Sequence, residues 1–556
     1  MHRSLITLLL ALLVSPSAPA PPPPELLTSP TFNQEGYRAA YRDAVSRGVD
    51  APNPRFGPHR QPFGPNGVIT TQRLDGAMNV PIFLVDFSDN MHATEASFFD
   101  SLGFAESTFS LARYYGEVSY GQLDIETVDW PSDVGWTRAP HTYAYYVDGY
   151  YGWGAYPQNS QGLCADVCNA VDGVVNFADY DNDGDGIVDG VNIIFAGPFD
   201  GTPNTIWPHA WSLPGDGALH DGVWVQAYSV QDEYNNTPGD QSADVLCHEF
   251  GHVLGLPDLY DYGYDSWGVG EWCLMGWGVY NGNGWSPAHL SAWCRAALGF
   301  VDPVVVTTDG WYTVPAVEQD GLVYRLWTQG QPSSQYFLVE NRRPVGYDAA
   351  LPSHGILIWH IDDLVGGNDN QWYPGYTQYG HFHVALEQAD GLWELERYMS
   401  AGDGGDPYPG TTVNRSFTAT TTPNSRDYAN NDTQCAAELI PDSANSVDVY
   451  LRVGVPGSLD PMALQIDLIS PTTARLSWAP VQNATAYEIW RSTSTLFPGH
   501  GAPWQTVSAP ASSVDLTDGI GNPVLDYFYV GRARSGPAVS PPSNIVGETD
   551  FALTAP

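Results

Sequence analysis

The 556-residue sequence contains no lysine: its 21 basic residues are all arginine, against 63 aspartates and glutamates, giving a formal charge of −42. So acidic a surface repels phosphate backbones and anionic headgroups, which argues against nucleic acid or a membrane surface as partner. No segment approaches the ~20 consecutive apolar residues that span a bilayer, so no stable membrane insertion is expected. No short-period repeat is present, and residues 21–75 lack cysteine. Acidity alone implies little more than a solvated surface with carboxylates available to divalent cations.

What is present begins with the marks of export. Arg3 supplies a positive start, residues 5–14 are apolar apart from Thr7, and Ala18-Pro19-Ala20 is a small-residue cleavage site. Four prolines follow at once, which disfavours a buried N-terminal helix. Residues 1–20 are therefore predicted to be a signal peptide and the product to be secreted and extracellular. Residues 21–75, rich in Pro, Gly and Arg with a short helical stretch at 37–45, read as a pro-segment; a disordered linker is the plainer alternative. If this segment masks a metal it has no thiolate for the task, and a carboxylate such as Glu35, Asp50 or Asp75 would have to serve.

Compact apolar runs at 80–87 (VPIFLVDF) and 190–197 (GVNIIFAG) predict core strands, and 224–230 alternates as a half-exposed strand does. Helical spacing runs over 94–115, 244–254 and 287–298. Mixed strands and helices predict one α/β catalytic domain over 76–300. From 301 to 456 the pattern changes to strands and turns (VVVTT, WYTVPAV, LVYRLW, YFLVEN, GILIWHI, HFHVALE, VDVYLRV), predicting an all-β sandwich domain. Residues 457–556, with Trp478 in ARLSWAP and Tyr487 in AYEIWRS, resemble a fibronectin type III module and carry no catalytic constellation. Six cysteines in an exported chain permit disulfides in fifteen full pairings. Cys164 and Cys168, lacking a second such pair, read as a disulfide half or buried thiols rather than a metal site. A Cys247–Cys273 bridge is a guess that requires their segments to be neighbours.

The chemistry concentrates at His248, which opens HEFGHVLGLPDLYD. On a helix His248 and His252 lie four apart on one face, so both imidazoles can bind one zinc. Glu249 is offset from them, placed to hold a zinc-bound water and take its proton as the water attacks a peptide carbonyl. The bare HExxH pattern arises by chance; here it extends to HExxHxxGxxD. Gly255 can leave the helix in a left-handed conformation and return Asp258 to the metal as third ligand. Two imidazoles and a carboxylate leave a fourth position open, as catalysis requires. Glu271 is the rival third ligand, and spacing favours Asp258.

Met275, in CLMGWG, follows Asp258 by seventeen residues. With HEFGHVLGLPDLYD, SPAHLSAWCRAALGF, YFLVENRRPVGYDAALPSHGILIWHIDD and GDPYPGTTVNRSFTATTTPNS, it makes residues 76–455 resemble the immune inhibitor A family of secreted bacterial metallopeptidases. The resemblance implies a metzincin-like catalytic domain, zinc, calcium, a pro-segment and activity on proteins or peptides. By position it implies His248, His252 and Asp258 as zinc ligands, Glu249 as base and Met275 as the Met-turn. Many metzincins have His where this chain has Asp258, which adds negative charge at the metal.

In DNDGDGIVD, Asp181, Asp183, Asp185 and Asp189 stand around Gly186 with the alternation that suits calcium, preferred here over an acidic surface turn. A second acidic cluster at 403–406 has less informative spacing. His209 and His360 read as packed or hydrogen-bonded, and Tyr280, a conceivable oxyanion donor, as packing. The whole predicts a multidomain precursor of a zinc endopeptidase (signal, pro-segment, catalytic α/β domain, all-β domain, fibronectin type III module) that acts as a monomer. A zinc-stabilised cell-surface binding protein is the alternative class.

Overall fold

The two apolar runs lie side by side as the parallel strands Ile82–Asp86 and Val191–Pro198, with Leu84 opposite Ile194. They belong to a computed structural model that describes residues 21–547 except 31, 51–73, 107–108, 370, 455–458, 471, 495–501, 521, 523–524 and 537. The expected signal at 1–20 and much of the expected pro-segment lie outside the described residues.

Five strands form the central sheet in the order Trp136–Arg138, Ile82–Asp86, Val191–Pro198, Ala227–Tyr234 and His209–Ser212. The first four are parallel, and the edge strand His209–Ser212 is antiparallel to its neighbour. Parallel strands buried on both faces read as unbroken apolar runs, which is the pattern of 80–87. Alternate residues serve separate cores. Ile82 and Leu84 join the helices Ala96–Phe104, Leu111–Val118 and Asp244–Val253, whereas Phe83 and Val85 join the helix Ser160–Val171 and the N-terminal helix Gln34–Ser46.

Three boundaries differ from the sequence expectation. The stretch 94–115 is two helices, the second started by Ser110, whose side chain accepts the N–H of Arg113. The run 224–230 divides at Gln226 between Val223–Val225 and Ala227–Tyr234. The closing helix is only Ala292–Ala297, because Ser291 caps it by accepting the N–H of Cys294.

Beyond residue 300 a five-stranded sheet packs on a three-stranded one. Along Gln335–Arg342 and Gly355–Asp362, Phe337, Val339, Ile356 and Ile358 face the core between these sheets. The intervening Tyr336, Leu338, Leu357 and Trp359 point the other way, into a core that also holds Leu246, Phe250 and Met275. The change of secondary structure at 300 is thus bridged by one continuous apolar core.

That junction also buries an ionic network. Arg342 Nε and Nη2 each donate to Asp348 at 2.6 Å, and Arg342 Nη1 donates to the carbonyl of Trp272 at 3.2 Å. Glu340 accepts from Arg295 and, at 2.7 Å, from Trp359 Nε1. All four charged groups are fully buried. Arg342 therefore ties the β region to the loop that leads into Met275.

The C-terminal region forms two small sheets around Trp478 and Tyr487, whose rings lie 5.2 Å apart. No helix among the described residues is long and apolar enough to cross a membrane.

Candidate metal centre

Helix Asp244–Val253 is buried at every position but Val245. It ends in a Schellman motif: Leu256 N–H donates to Gly251 O and Gly255 N–H to His252 O, both at 2.9 Å. Gly255 has φ +93, the left-handed conformation expected of it. The reversal carries Pro257 and Asp258 back beneath the helix.

His248 Nδ1 donates to the carbonyl of Leu274 and His252 Nδ1 to that of Leu256, each at 2.8 Å. These bonds set the tautomer, leaving the lone pair on each Nε2. The two Nε2 atoms lie 3.1 and 3.3 Å from the same Asp258 oxygen. Both are buried without a hydrogen-bond partner. Ligands ~2.0–2.1 Å from a tetrahedral zinc stand ~3.3 Å from one another, so the spacing and donor set fit that ion. The structure thus brings His248, His252 and Asp258 together, and each is 0–1% exposed.

Glu249 is also fully buried. Its carboxylate groups with that of Asp50 and a ring nitrogen of His252, the ligand atoms lying within 4.8 Å of one another. Burial, then the neighbouring Glu249 and Asp258 carboxylates, push the Asp50 carboxyl well above its ordinary range. Of the three carboxylates named from sequence, Glu35 and Asp75 are exposed and only Asp50 reaches the centre.

Met275 packs directly against the helix: a Cβ on Gly251 would lie 2.7 Å from its sulfur. Its carbonyl accepts the N–H of Leu259 at 2.8 Å, so this loop is tied to the chain on both sides of the motif. Glu271, the rival ligand, sits on the one-turn helix Gly270–Trp272 and does not join the histidines; burial raises its pKa. A cleft of about 1000 Å³ runs past Asp244, Glu271, Trp277 and Tyr280, and Pro23–Leu26 of the N-terminal segment lie along it. Tyr280 donates its hydroxyl to the carbonyl of Pro21 at 2.5 Å.

Asp181, Asp183 and Asp185 converge, as their alternation suggests. Backbone N–H groups of Asp185 and Gly186 donate to Asp181 at 3.0 and 2.9 Å, and Gly184 and Gly186 take φ +74 and +88. Asp189 is instead engaged by Asn182, whose N–H and side-chain amide donate to it at 3.0 and 2.8 Å. In the second acidic region Asp403 meets Asp390 and Glu394. Asp406 accepts from Trp272 Nε1 at 2.9 Å, and burial pushes its carboxyl up to about 7. The contributions of Asp390 and Glu394 carry no sequence signal, because no regular spacing links them to Asp403.

His209 lies buried between Ser160 and the carbonyl of Trp207, and burial pushes it down to about 4. His360 pairs with Glu387 and stacks on Tyr428. Cys273 faces Cys294, with sulfurs 3.9 Å apart, and not Cys247 as guessed.

Residues 83–299 match the family model described as the immune inhibitor A peptidase M6 catalytic domain. The chain is 28% identical over 224 residues to the pre-pro-metalloprotease PrtV of Vibrio cholerae serotype O1, covering 35% of this chain and 24% of that protein. It is 31% identical over 133 residues to immune inhibitor A of Bacillus thuringiensis subsp. alesti, covering 21% of this chain and 19% of that one. The chain thus spans about a fifth to a quarter of the length of these curated relatives. Among solved structures, the sixth fibronectin type III domain of human fibronectin type III domain containing protein 3 aligns at 19% identity over 18% of this chain and 92% of that domain, with a TM-score of 0.15.

Proposed function

We propose, from the premise that residues 83–299 fall within the immune inhibitor A catalytic family, that this protein is a secreted, zinc-dependent endopeptidase acting on extracellular proteins and peptides. The observation that carries the reading is the convergence of two buried imidazole Nε2 nitrogens on one Asp258 oxygen beside a buried Glu249. His248, His252 and Asp258 hold the metal, with Asp258 contributing a negative charge that a third histidine would not. Zinc bound there supplies Lewis-acid polarisation of the scissile carbonyl and lowers the pKa of a water toward ~7.

The remaining steps belong to side chains. Glu249 takes the proton of the attacking water and returns it to the leaving amine. Tyr280, whose hydroxyl already holds a carbonyl oxygen, donates to the oxygen on which charge develops. Leu274 and Leu256 hold the two imidazoles in orientation through their carbonyls, and Met275 fills the space beneath Gly251. The antiparallel edge strand His209–Ser212 offers backbone groups to which an extended substrate can add as a further strand. That edge, with the motif helix packed on the sheet, supports a metzincin-like fold.

The wider reading is a precursor with a signal at 1–20 and a pro-segment at 21–75, a calcium loop at 181–185 and a fibronectin type III module at the C-terminus. Metal analysis tests the centre. The protein should hold zinc one-to-one, and 1,10-phenanthroline should stop hydrolysis of unfolded casein by the chain lacking residues 1–75. His252→Ala should lose both the metal and the hydrolysis; full zinc in a His248→Ala, His252→Ala double variant would sink the assignment.

A further inference from the structure

We propose that Asp50 is a fourth ligand of the metal centre and keeps the precursor latent, an inference that rests on the metallopeptidase reading above. Asp50 arrives from a helix some two hundred residues before the motif, and its position is built in three steps.

The helix Gln34–Ser46 starts at Asn33, whose side chain accepts the N–H of Gly36. Tyr37, Ala40, Tyr41, Ala44 and Val45 form its buried face, spaced as one side of a helix requires. Tyr37 stacks on Tyr41, reaches within 4.1 Å of the Trp207 ring and shares a hydrogen bond with Tyr264. Two large aromatic side chains of this segment are thereby seated, fully buried, in the catalytic core.

The chain then turns. Gly48 takes φ +94 and Asp50 φ +55, a region that aspartate enters more readily than most residues. Asp50 N–H donates to the carbonyl of Ala210, and Ala210 N–H donates to Asp50 Oδ1, both at 2.7 Å. Ala210 lies on the edge strand His209–Ser212, so Asp50 occupies backbone groups of the edge to which a substrate strand would add in the reading above.

The other oxygen, Asp50 Oδ2, is fully buried without a hydrogen-bond partner. The Asp50 carboxylate approaches His252 and Glu249 within the same pocket. Two described arginines of the segment are turned elsewhere: Arg38 donates to the carbonyl of Tyr264, and Arg47 to those of Trp153 and Gly154. A buried carboxyl is accommodated either by a proton or by a compensating cation, and the cation that two imidazoles and Asp258 are arranged to hold is the one within reach. An Asp50 oxygen bound there as fourth donor would close the open position that catalysis needs. The 0–1% exposure of His248, Glu249, His252 and Asp258 in this arrangement agrees with a centre shut to substrate.

Cobalt in place of zinc reports the ligand set directly. The full-length chain carrying Glu249→Gln, which cannot process itself, is loaded with Co(II) and compared with the same chain carrying Asp50→Asn, Asp50→Ala or Asp43→Asn. Asn keeps an oxygen for Ala210 N–H, so the segment can remain seated, and Asp43 is an exposed control on the same helix. Expected are a shifted visible Co(II) spectrum in both Asp50 variants and none in Asp43→Asn. Zinc should also be lost to excess chelator ~10-fold faster or more once Asp50 is replaced. With Glu249 intact, full-length Asp50→Ala, which also frees the Ala210 N–H, should digest unfolded casein while the parent precursor does not. One-to-one cobalt with the parental spectrum and parental chelator rate in both Asp50 variants would overturn the role of Asp50 and leave the metallopeptidase reading standing. A parent chain that binds neither zinc nor cobalt would overturn both.

Discussion

Replacing Arg342 by methionine leaves Asp348 fully buried and without the two 2.6 Å hydrogen bonds it accepts from the guanidinium. Unit charges ~4 Å apart at an effective dielectric of ~20 attract by ~4 kcal/mol. Removing one partner of such a pair costs about 3–5 kcal/mol, because the other charge stays buried. Burial opposes ionisation of Asp348, but Arg342, assisted by His289, overrides it and holds the carboxyl well below the usual carboxylate range. A carboxyl with a depressed folded pKa adds stability above its unfolded value of ~3.9 and loses it as the pH falls through the folded one. The damage from Arg342→Met should therefore be large at pH 7 and shrink on strong acidification. It should appear in the urea transition of the unit containing the motif helix, followed by tryptophan fluorescence. The loop into Met275 should loosen with it, since Arg342 also donates to Trp272 O. Adding Asp348→Leu should recover most of the loss, because exchanging both charges for apolar side chains is often neutral. A loss below ~1 kcal/mol at pH 7, or one independent of pH, would refute this view of the junction.

Burial pushes the Glu396 carboxyl up to about 8, where Gln388 donates to it at 2.6 Å. Its favourable contribution is complete below an unfolded pKa of ~4.3 and is lost as the pH rises through about 8. The thermal midpoint should thus fall between about pH 5 and 8, and Glu396→Gln should flatten that fall; an unchanged slope contradicts it. Calcium should raise the thermal midpoint through the loop at 181–185, and a double Asp181→Asn, Asp183→Asn variant should lose the response; a full response in that variant would exclude the loop. Non-reducing peptide mapping of the exported protein should join Cys273 to Cys294, whose sulfurs lie 3.9 Å apart; a Cys247–Cys273 link would contradict the packing.

The motif was the most legible part of the chain because its geometry is local. Helical spacing places His248 and His252 together, and a glycine at 255 permits the reversal that returns Asp258. Strands such as 80–87 were legible for a similar reason, since burial on both faces leaves an unbroken apolar run. What escaped depends on distant neighbours. Asp50 was one of three carboxylates the sequence could not rank, and what sets it apart is the packing of Tyr37 against Trp207 and of Tyr41 against Trp153. Asp189 has the register of a calcium ligand but meets Asn182, which itself bridges to Asn79. The core shared across residue 300 was hidden because alternation along Gln335–Arg342 shows two buried faces without showing what covers each.

The most direct test of the central claim is digestion of unfolded casein by the chain lacking residues 1–75 beside its Glu249→Ala form, with zinc measured in both. Equal zinc in the two proteins and a fall in hydrolysis of ~10²–10⁴-fold or more in Glu249→Ala are expected of a general base beside the metal. Parental hydrolysis by Glu249→Ala, or hydrolysis by a parent chain free of zinc, would contradict a zinc peptidase working through Glu249.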